Sequence, residues 1–268
     1  MRSRDWRFSA RALALAAVAV VFATGCHHRG ENFKAGPEII YRQAQKSMHD
    51  GDFGNAIKQL DAIEARFPFS AQARQAQIDL IYANYENRQT HAAIDAANTF
   101  IRENPTNVRV DYAYYMKGLI YFSRQRNFIE RYFKVDLSAR PPENSQKSFE
   151  AFALLLQKFP RSPYAPDARQ RMIYLRNRLA NFEIHVADYY MRRGAYVAAI
   201  DRAKYCVSHY DGAPAVQHAL LVMIAAYKKL HMPDLAASVQ KVYDLNFAGT
   251  HPAPLPRAKK HWRLWKFW

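Results

Sequence analysis

From residue 37 to about residue 250, apolar side chains recur at the three- and four-residue spacing of amphipathic helices, and small residues and prolines punctuate them at fixed offsets. Ala44, Ala56 and Pro68 lie twelve residues apart, and Ile81, Ala93 and Pro105 repeat that triplet 37 residues later. Gly118 opens a third copy after another 37, while Ala187, Ala199 and Asp211, followed by Ile224, Ala236 and Ala248, supply two more. Paired helices can approach closely only over small side chains, and each pair must end at a turn, so five copies in phase predict stacked helical hairpins. Gly51-Asp52-Phe53 and Gly194-Ala195-Tyr196 fall where the chain turns within a hairpin. The spacing is that of tetratricopeptide repeats, with a unit of 37 residues where about 34 is usual. The predicted fold is all-α, a tetratricopeptide-like right-handed superhelix of about five helical hairpins.

The register breaks once, because Gly118 and Ala187 are 69 residues apart. Part of the excess covers residues 126–144, a charged and aromatic stretch ending in Arg140-Pro141-Pro142. The rest predicts a long helix from about residue 164 to 193, with Ile173, Leu179, Ile184, Val186 and Tyr190 along it. The chain then divides into segment 1–25, a tether over 26–36 and an N-terminal repeat array over 37–125. An insertion that completes the third unit covers 126–163, a C-terminal array covers 164–250, and a basic, aromatic tail covers 251–268. The long helix joins the two arrays.

Repeat arrays expose a concave wall built from the first helix of each hairpin, and such walls hold extended peptides. Ile78, Tyr82 and Tyr85 fall at i, i+4 and i+7 in the second unit, and Tyr112, Tyr115, Leu119 and Phe122 at i, i+3, i+7 and i+10 in the third. The first unit adds Tyr41 and Met48. All are offset from the packing positions Ala44, Ile81 and Gly118, which predicts that they face the groove. Aromatic rings give large contact area at small entropic cost and tolerate sequence variation in a ligand. Equivalent positions in the fourth unit are Asn181, Ile184, Asp188 and Met191, a mixed surface without an aromatic ring. The N-terminal array therefore reads as the peptide-binding half and the C-terminal array as a docking half.

Composition narrows the chemistry. Nine glycines in 268 residues argue against a glycine-rich phosphate loop. The formal charge of +16 is partly terminal: Arg2, Arg4, Arg7 and Arg11 against Asp5 give +3 before residue 26, and the tail adds five cations without an acid. The remaining +8 suits acidic partner surfaces or anionic lipid. Residues 12–22 are an apolar core too short to span a bilayer, and Phe22-Ala23-Thr24-Gly25-Cys26 puts small residues before a cysteine. This resembles a bacterial lipoprotein precursor, in which residues 1–25 are the signal peptide and Cys26 carries S-diacylglycerol and an N-acyl chain. His27, in place of an aspartate, implies the periplasmic face of the outer membrane. Nucleic acid is absent from that compartment and is not an expected partner. Cys206, the other cysteine, is expected to be a buried, inert thiol.

In the tail, Lys259, Lys260, Arg263 and Lys266 fall on one side of a helical wheel, and Trp262, Leu264, Trp265 and Trp268 on the other. That is the pattern of an interfacial helix, docking at a membrane surface or on a partner. No His-Glu-x-x-His or Gly-x-Ser-x-Gly motif occurs, and the ten histidines are scattered, so neither metal nor cofactor is expected. A murein hydrolase would need a glutamate of raised pKa in a cleft, and Glu130, Glu150 and Glu183 lie in no compact domain that could hold a glycan.

Several segments carry a family resemblance: Arg66-Phe67-Pro68-Phe69-Ser70, Ile78-Asp79-Leu80-Ile81-Tyr82-Ala83, Phe100-Ile101-Arg102, Asn104-Pro105-Thr106, Asp111-Tyr112, Tyr115-Met116-Lys117-Gly118-Leu119 and Arg193-Gly194-Ala195-Tyr196-Val197-Ala198. In that order, from about residue 37 to 247, the chain resembles the BamD family of the outer-membrane β-barrel assembly machinery. The resemblance implies a non-enzymatic scaffold that docks to the periplasmic region of a BamA-type barrel subunit and holds accessory Bam lipoproteins. It also implies contact with the carboxy-terminal signals of unfolded outer membrane proteins. Arg193 and Arg202 are the positions it offers for ion pairs with the barrel subunit. Residues 137–142 depart from the more charged family pattern. A repeat lipoprotein that tethers peptidoglycan or an envelope division complex is the other reading of the same repeats.

Overall fold

The computed structural model describes residues 35–123 and 142–250. Cys26, most of the 126–144 stretch, and the tail with Lys259, Lys260, Trp262, Trp265 and Trp268 lie outside the described residues. Within them the chain forms ten helices and no strand, in the order α1 Pro37–His49, α2 Phe53–Arg66, α3 Ala71–Glu86, α4 Thr90–Glu103, α5 Val110–Ser123, α6 Glu143–Lys158, α7 Ala165–Arg192, α8 Tyr196–His209, α9 Ala215–Lys229 and α10 Pro233–Phe247. Each helix packs on its successor, and the first helices of the N-terminal hairpins also touch, α1 on α3 and α3 on α5. The result is an all-α, tetratricopeptide-like stack of five hairpins.

Local chemistry sets the ends of these helices. The Asp52 carboxylate accepts the Asn55 N–H at 3.1 Å and the Ser70 hydroxyl accepts the Ala73 N–H at 3.0 Å, each satisfying a donor left over in a first turn. Pro37, Pro166 and Pro233 stand in the first turns of α1, α7 and α10, where their missing N–H costs nothing. The turns inside four hairpins are the same motif: Asp52, Gln89, Ala195 and Met232 each donate a backbone N–H to the carbonyl five residues back, at 2.8 to 3.0 Å. That 6→1 bond needs a left-handed residue just before it. Gly51 (φ 77°) and Gly194 (φ 74°) supply it freely. Arg88 (φ 61°) and His231 (φ 57°), each 37 positions after one of those glycines, adopt the same conformation against their steric preference.

The first two positions of each repeat triplet are packing positions, whereas the third, Pro68, Pro105, Asp211 and Ala248, is exposed at a turn. Ala44, Ala56, Ile81, Ala93, Ala187 and Ala199 have no exposed surface at all. Gly118 is the tightest crossing: a Cβ there would stand 2.3 Å from Phe152 Cε1, and the buried Ser148 hydroxyl donates to the Gly118 carbonyl at 2.8 Å. The long helix appears as expected, 28 residues of α7. Its first half gives Ala168 and Leu175 to a core shared with α3–α6, and its second half gives Ala180, Ile184 and Ala187 to the core of α8–α10. A third core is shared by α1, α2 and α3. One helix thus belongs to two cores, which couples the arrays through its own stiffness.

Candidate functional site

Side chains of α1, α3, α5 and the start of α7 form one continuous wall of rings and charges. At one end the Tyr41 hydroxyl donates to Asp79 Oδ2 at 2.7 Å, Gln45 donates to the same oxygen at 2.9 Å, and Gln75 donates to Asp79 Oδ1 at 3.1 Å. Burial pushes the Asp79 carboxyl above its ordinary range, although those hydrogen bonds and the charge of Arg109 pull the other way. Burial and the neighbouring Asp79 also raise Tyr41, so its phenol stays a donor at any physiological pH. Tyr82, 40% exposed, meets Phe53 edge to face at 5.9 Å. The Arg109 guanidinium lies 5.5 Å from the centre of the Tyr112 ring.

Further along, Tyr115 stacks on Tyr164 with ring centres 4.7 Å apart and 17° between planes, and Tyr112 meets Tyr164 tilted, with ring centres 5.7 Å apart. The Tyr115 hydroxyl donates to Asp167 Oδ2 at 2.7 Å. Its phenol is pushed up to about 12, by burial first and then by Asp167. Arg171 bonds to that same carboxylate oxygen and lies 4.9 Å from the centre of the Phe122 ring, which in turn meets Tyr174 at 5.7 Å. Burial works against the Asp167 charge, yet the hydrogen bonds from Arg171 and Tyr115 hold its carboxyl below the usual range. These bonds fix the rings, so a ligand would meet a surface whose side-chain entropy is already spent.

Seven of the eight predicted groove residues keep some exposed surface: Tyr41, Tyr82, Tyr85, Tyr112, Tyr115, Leu119 and Phe122. Ile78 does not. It is 3% exposed and sits in the core with Ile81 and Phe100, because α3 is packed from several sides and buries more than the single stripe that helical spacing assigns. Ile184 in the comparison set of the fourth unit is likewise fully buried, and Asp188 faces His218 at 3.5 Å. Sequence reasoning missed Phe53, Asp79, Arg109, Tyr164, Asp167 and Arg171. Spacing along one helix cannot find them, since Phe53, Arg109, Tyr164, Asp167 and Arg171 complete the wall from a neighbouring helix or a loop, and Asp79, on α3 itself, joins it through Tyr41 and Gln45 of α1.

Of the two arginines placed in the docking half, Arg193 ends α7 with its guanidinium 5.4 Å from the Tyr189 ring centre, and it is exposed. Arg202 on α8 reaches Glu183 Oε2 at 3.2 Å, and Glu183 is only 6% exposed, so this arginine neutralises a buried acid within the chain. Tyr189 and Tyr205 stand 46% and 41% exposed, so this half carries aromatic surface of its own. Cys206 is buried, donates to the Ala180 carbonyl at 3.8 Å, and burial pushes its thiol up to about 12. Among the described residues, no group of three or more His, Cys, Asp or Glu could hold a metal ion, and no helix is long and apolar enough to cross a membrane.

Comparison with known proteins places this geometry in context. Residues 34–242 match the family model described as "YfiO: Outer membrane lipoprotein". The "Outer membrane protein assembly factor BamD" of Neisseria gonorrhoeae is 38% identical over 232 residues, which cover 85% of this chain and 86% of that protein. The proteins of the same name from Neisseria meningitidis serogroup B and Vibrio cholerae are 36% identical over 236 residues and 37% identical over 210. Those alignments cover 86% and 78% of this chain, and 86% and 87% of the relatives.

Proposed function

Since the chain belongs to the YfiO family of outer membrane lipoproteins, we propose that it is a scaffold, not an enzyme, that serves outer membrane protein assembly. In this reading Cys26 carries the lipid that holds the protein at the periplasmic face of the outer membrane, and the tail around Lys259, Lys260, Trp262, Trp265 and Trp268 lies at the membrane surface. Arg193 and Arg202 face a BamA-type barrel subunit, and accessory Bam lipoproteins complete the assembly. The wall of Tyr41, Tyr82, Tyr85, Tyr112, Tyr115, Leu119 and Phe122 holds the carboxy-terminal signals of unfolded outer membrane proteins.

The observation that carries the peptide-binding part is the fixed aromatic wall itself. Tyr115 is stacked and hydrogen-bonded in place, Tyr112 and Phe122 are held by neighbouring rings, and Tyr82 is left with 40% of its surface open. Rings presented this way suit an extended ligand with alternating aromatic residues, which can dock without a strict sequence. The test is a photoreactive residue at position 82 in the full lipoprotein, exposed to a peptide that ends in aromatic alternation. Labelling of the peptide, competed by excess unlabelled peptide, is expected. No labelling from position 82, with the protein folded, removes the substrate role from this wall.

A further inference from the structure

We propose that the edge of the N-terminal array formed by the loops between hairpins rests on an anionic lipid surface, with Phe69 and Val108 entering it. The inference rests on the reading of Cys26 as the lipidated residue and adds a second membrane contact to that anchor. Phe69, in the loop between α2 and α3, is 96% exposed, and Val108, in the loop between α4 and α5, is 93% exposed. Both loops are braced: the Ser70 N–H donates to the Phe67 carbonyl at 2.9 Å, and the Arg109 N–H donates to Asn107 Oδ1 at 2.9 Å. Successive helices alternate in direction, so the loops that join one hairpin to the next share one edge of the stack. Side-chain bonds tie them together there, since Asn104 donates to Gln77 Oε1 at 2.8 Å and the Ser162 hydroxyl donates to Asp111 Oδ2 at 2.7 Å. Two large apolar side chains are thus held out in water on one edge, and a lipid surface would dehydrate them.

Position and charge identify the occupant as lipid. The chain enters the fold at this edge, because Ala35 is 8% exposed and lies in the core against which Phe67, at the end of α2, is packed. Ala35 comes nine residues after Cys26, so an acyl anchor on Cys26 stays within about 30 Å of the loops even with the tether fully extended. Exposed Arg66, Arg102, Arg109, Lys158 and Arg161 flank the loops, against the acids Glu64 and Glu103. On the opposite edge of the same array, the described turns carry Asp50, Asp52 and Glu86 against Arg88. Cations beside apolar tips suit anionic headgroups, which attract the charges and let the tips leave water. The corresponding loop of the C-terminal array lacks both features. There Ala213 is buried, and the carbonyls of Asp211 and Gly212 each accept from Arg176 at 3.0 Å. The apolar tips therefore belong to the half nearest the anchor.

The experiment places the full lipoprotein in vesicles of phosphatidylethanolamine and phosphatidylglycerol that carry a headgroup nitroxide as quencher. A thiol-reactive fluorophore is attached at Thr106→Cys, exposed in the loop between α4 and α5, or at Asp50→Cys, exposed on the opposite edge. Cys206 is buried and stays unlabelled. Strong quenching from position 106 and little from position 50 is expected. Phe69→Ser combined with Val108→Ser should remove most of the quenching at 106 while the protein still floats with the vesicles, and melting should not change because both side chains lie outside the core. Arg161→Gln should lower the ratio of docked to undocked protein about fivefold, the scale of one cation at an anionic surface. Equal quenching at the two positions, or quenching at 106 that survives the double serine variant, overturns the lipid contact; with the protein afloat, that result keeps the anchor and leaves Phe69 and Val108 to a protein partner. Protein that fails to float with the vesicles overturns the anchor reading as well.

Discussion

Replacing Gly118 with alanine tests the packing on which the wall depends. An added Cβ would stand 2.3, 2.5 and 2.7 Å from three atoms of the Phe152 ring, where real contacts stay above 3 Å, and Phe152 has no exposed surface into which to move. Relief requires α5 and α6 to separate, which strains a well-packed core at about 1–3 kcal/mol. The same separation stretches the buried bond from Ser148 to the Gly118 carbonyl, 2.8 Å long, at a further ~1 kcal/mol. Alanine returns about 1 kcal/mol through its better helix propensity. The net loss is therefore about 1–3 kcal/mol, or roughly 3–10 °C in melting temperature for a chain of this size. Thermal unfolding followed by circular dichroism on the detergent-solubilised protein reads it out. Gly54→Ala is the control, because a Cβ there meets nothing closer than Asp52 Oδ1 at 3.9 Å, so that variant should be neutral or slightly more stable. Adding Phe152→Leu to Gly118→Ala should recover part of the loss, since it removes the ring edge that clashes. A Gly118→Ala protein as stable as wild type, or a double variant whose losses simply add, would refute the reasoning.

Arg88→Gly and His231→Gly should each raise stability by about 0.5–1 kcal/mol, because both side chains sit in the left-handed region that glycine occupies without strain at positions 51 and 194; a drop in denaturant midpoint for both would contradict the turn assignment. Arg202→Ala should cost about 1–2 kcal/mol, less than for a wholly buried pair since Arg202 is half exposed, because it removes the ion-pair partner of the buried Glu183. Arg193→Ala should leave melting unchanged, so equal melting temperatures for the two would sink the structural role of Arg202. For Asp167 the carboxyl is held below its ordinary 3.8, so the stabilisation it gives is present above that value and is lost as pH falls through the folded one. The melting difference between wild type and Asp167→Asn should be constant above about pH 5 and shrink in more acidic buffer. A gap that widens under acid has the wrong sign.

Much of the architecture was legible in the residues. The 37-residue phase located hairpins, packing alanines and two of the turn glycines, and the break in phase foretold the 28-residue α7. Burial of Cys206 followed from its apolar helical setting. These are local properties: helical period, small side chains at a crossing and a residue that tolerates positive φ act within one hairpin. Arg88 and His231 were legible in principle by adding 37 to Gly51 and Gly194, but neither residue type announces a left-handed turn.

What the sequence by itself determined, then, was the repeat and the identity of the residues that let its helices touch. Only the tertiary structure decided which side of each helix became wall and which became core. A helix enclosed on one side obeys its apolar stripe, whereas α3 and α5 are enclosed by several neighbours, so Ile78 turned inward while Tyr82, one turn along, stayed open. The polar contacts that fix the rings join residues 38 and 52 positions apart, Tyr41 with Asp79 and Tyr115 with Asp167. Their meeting depends on how one hairpin is set against the next, and that angle is fixed by the summed packing of both and is carried by no single stretch of chain.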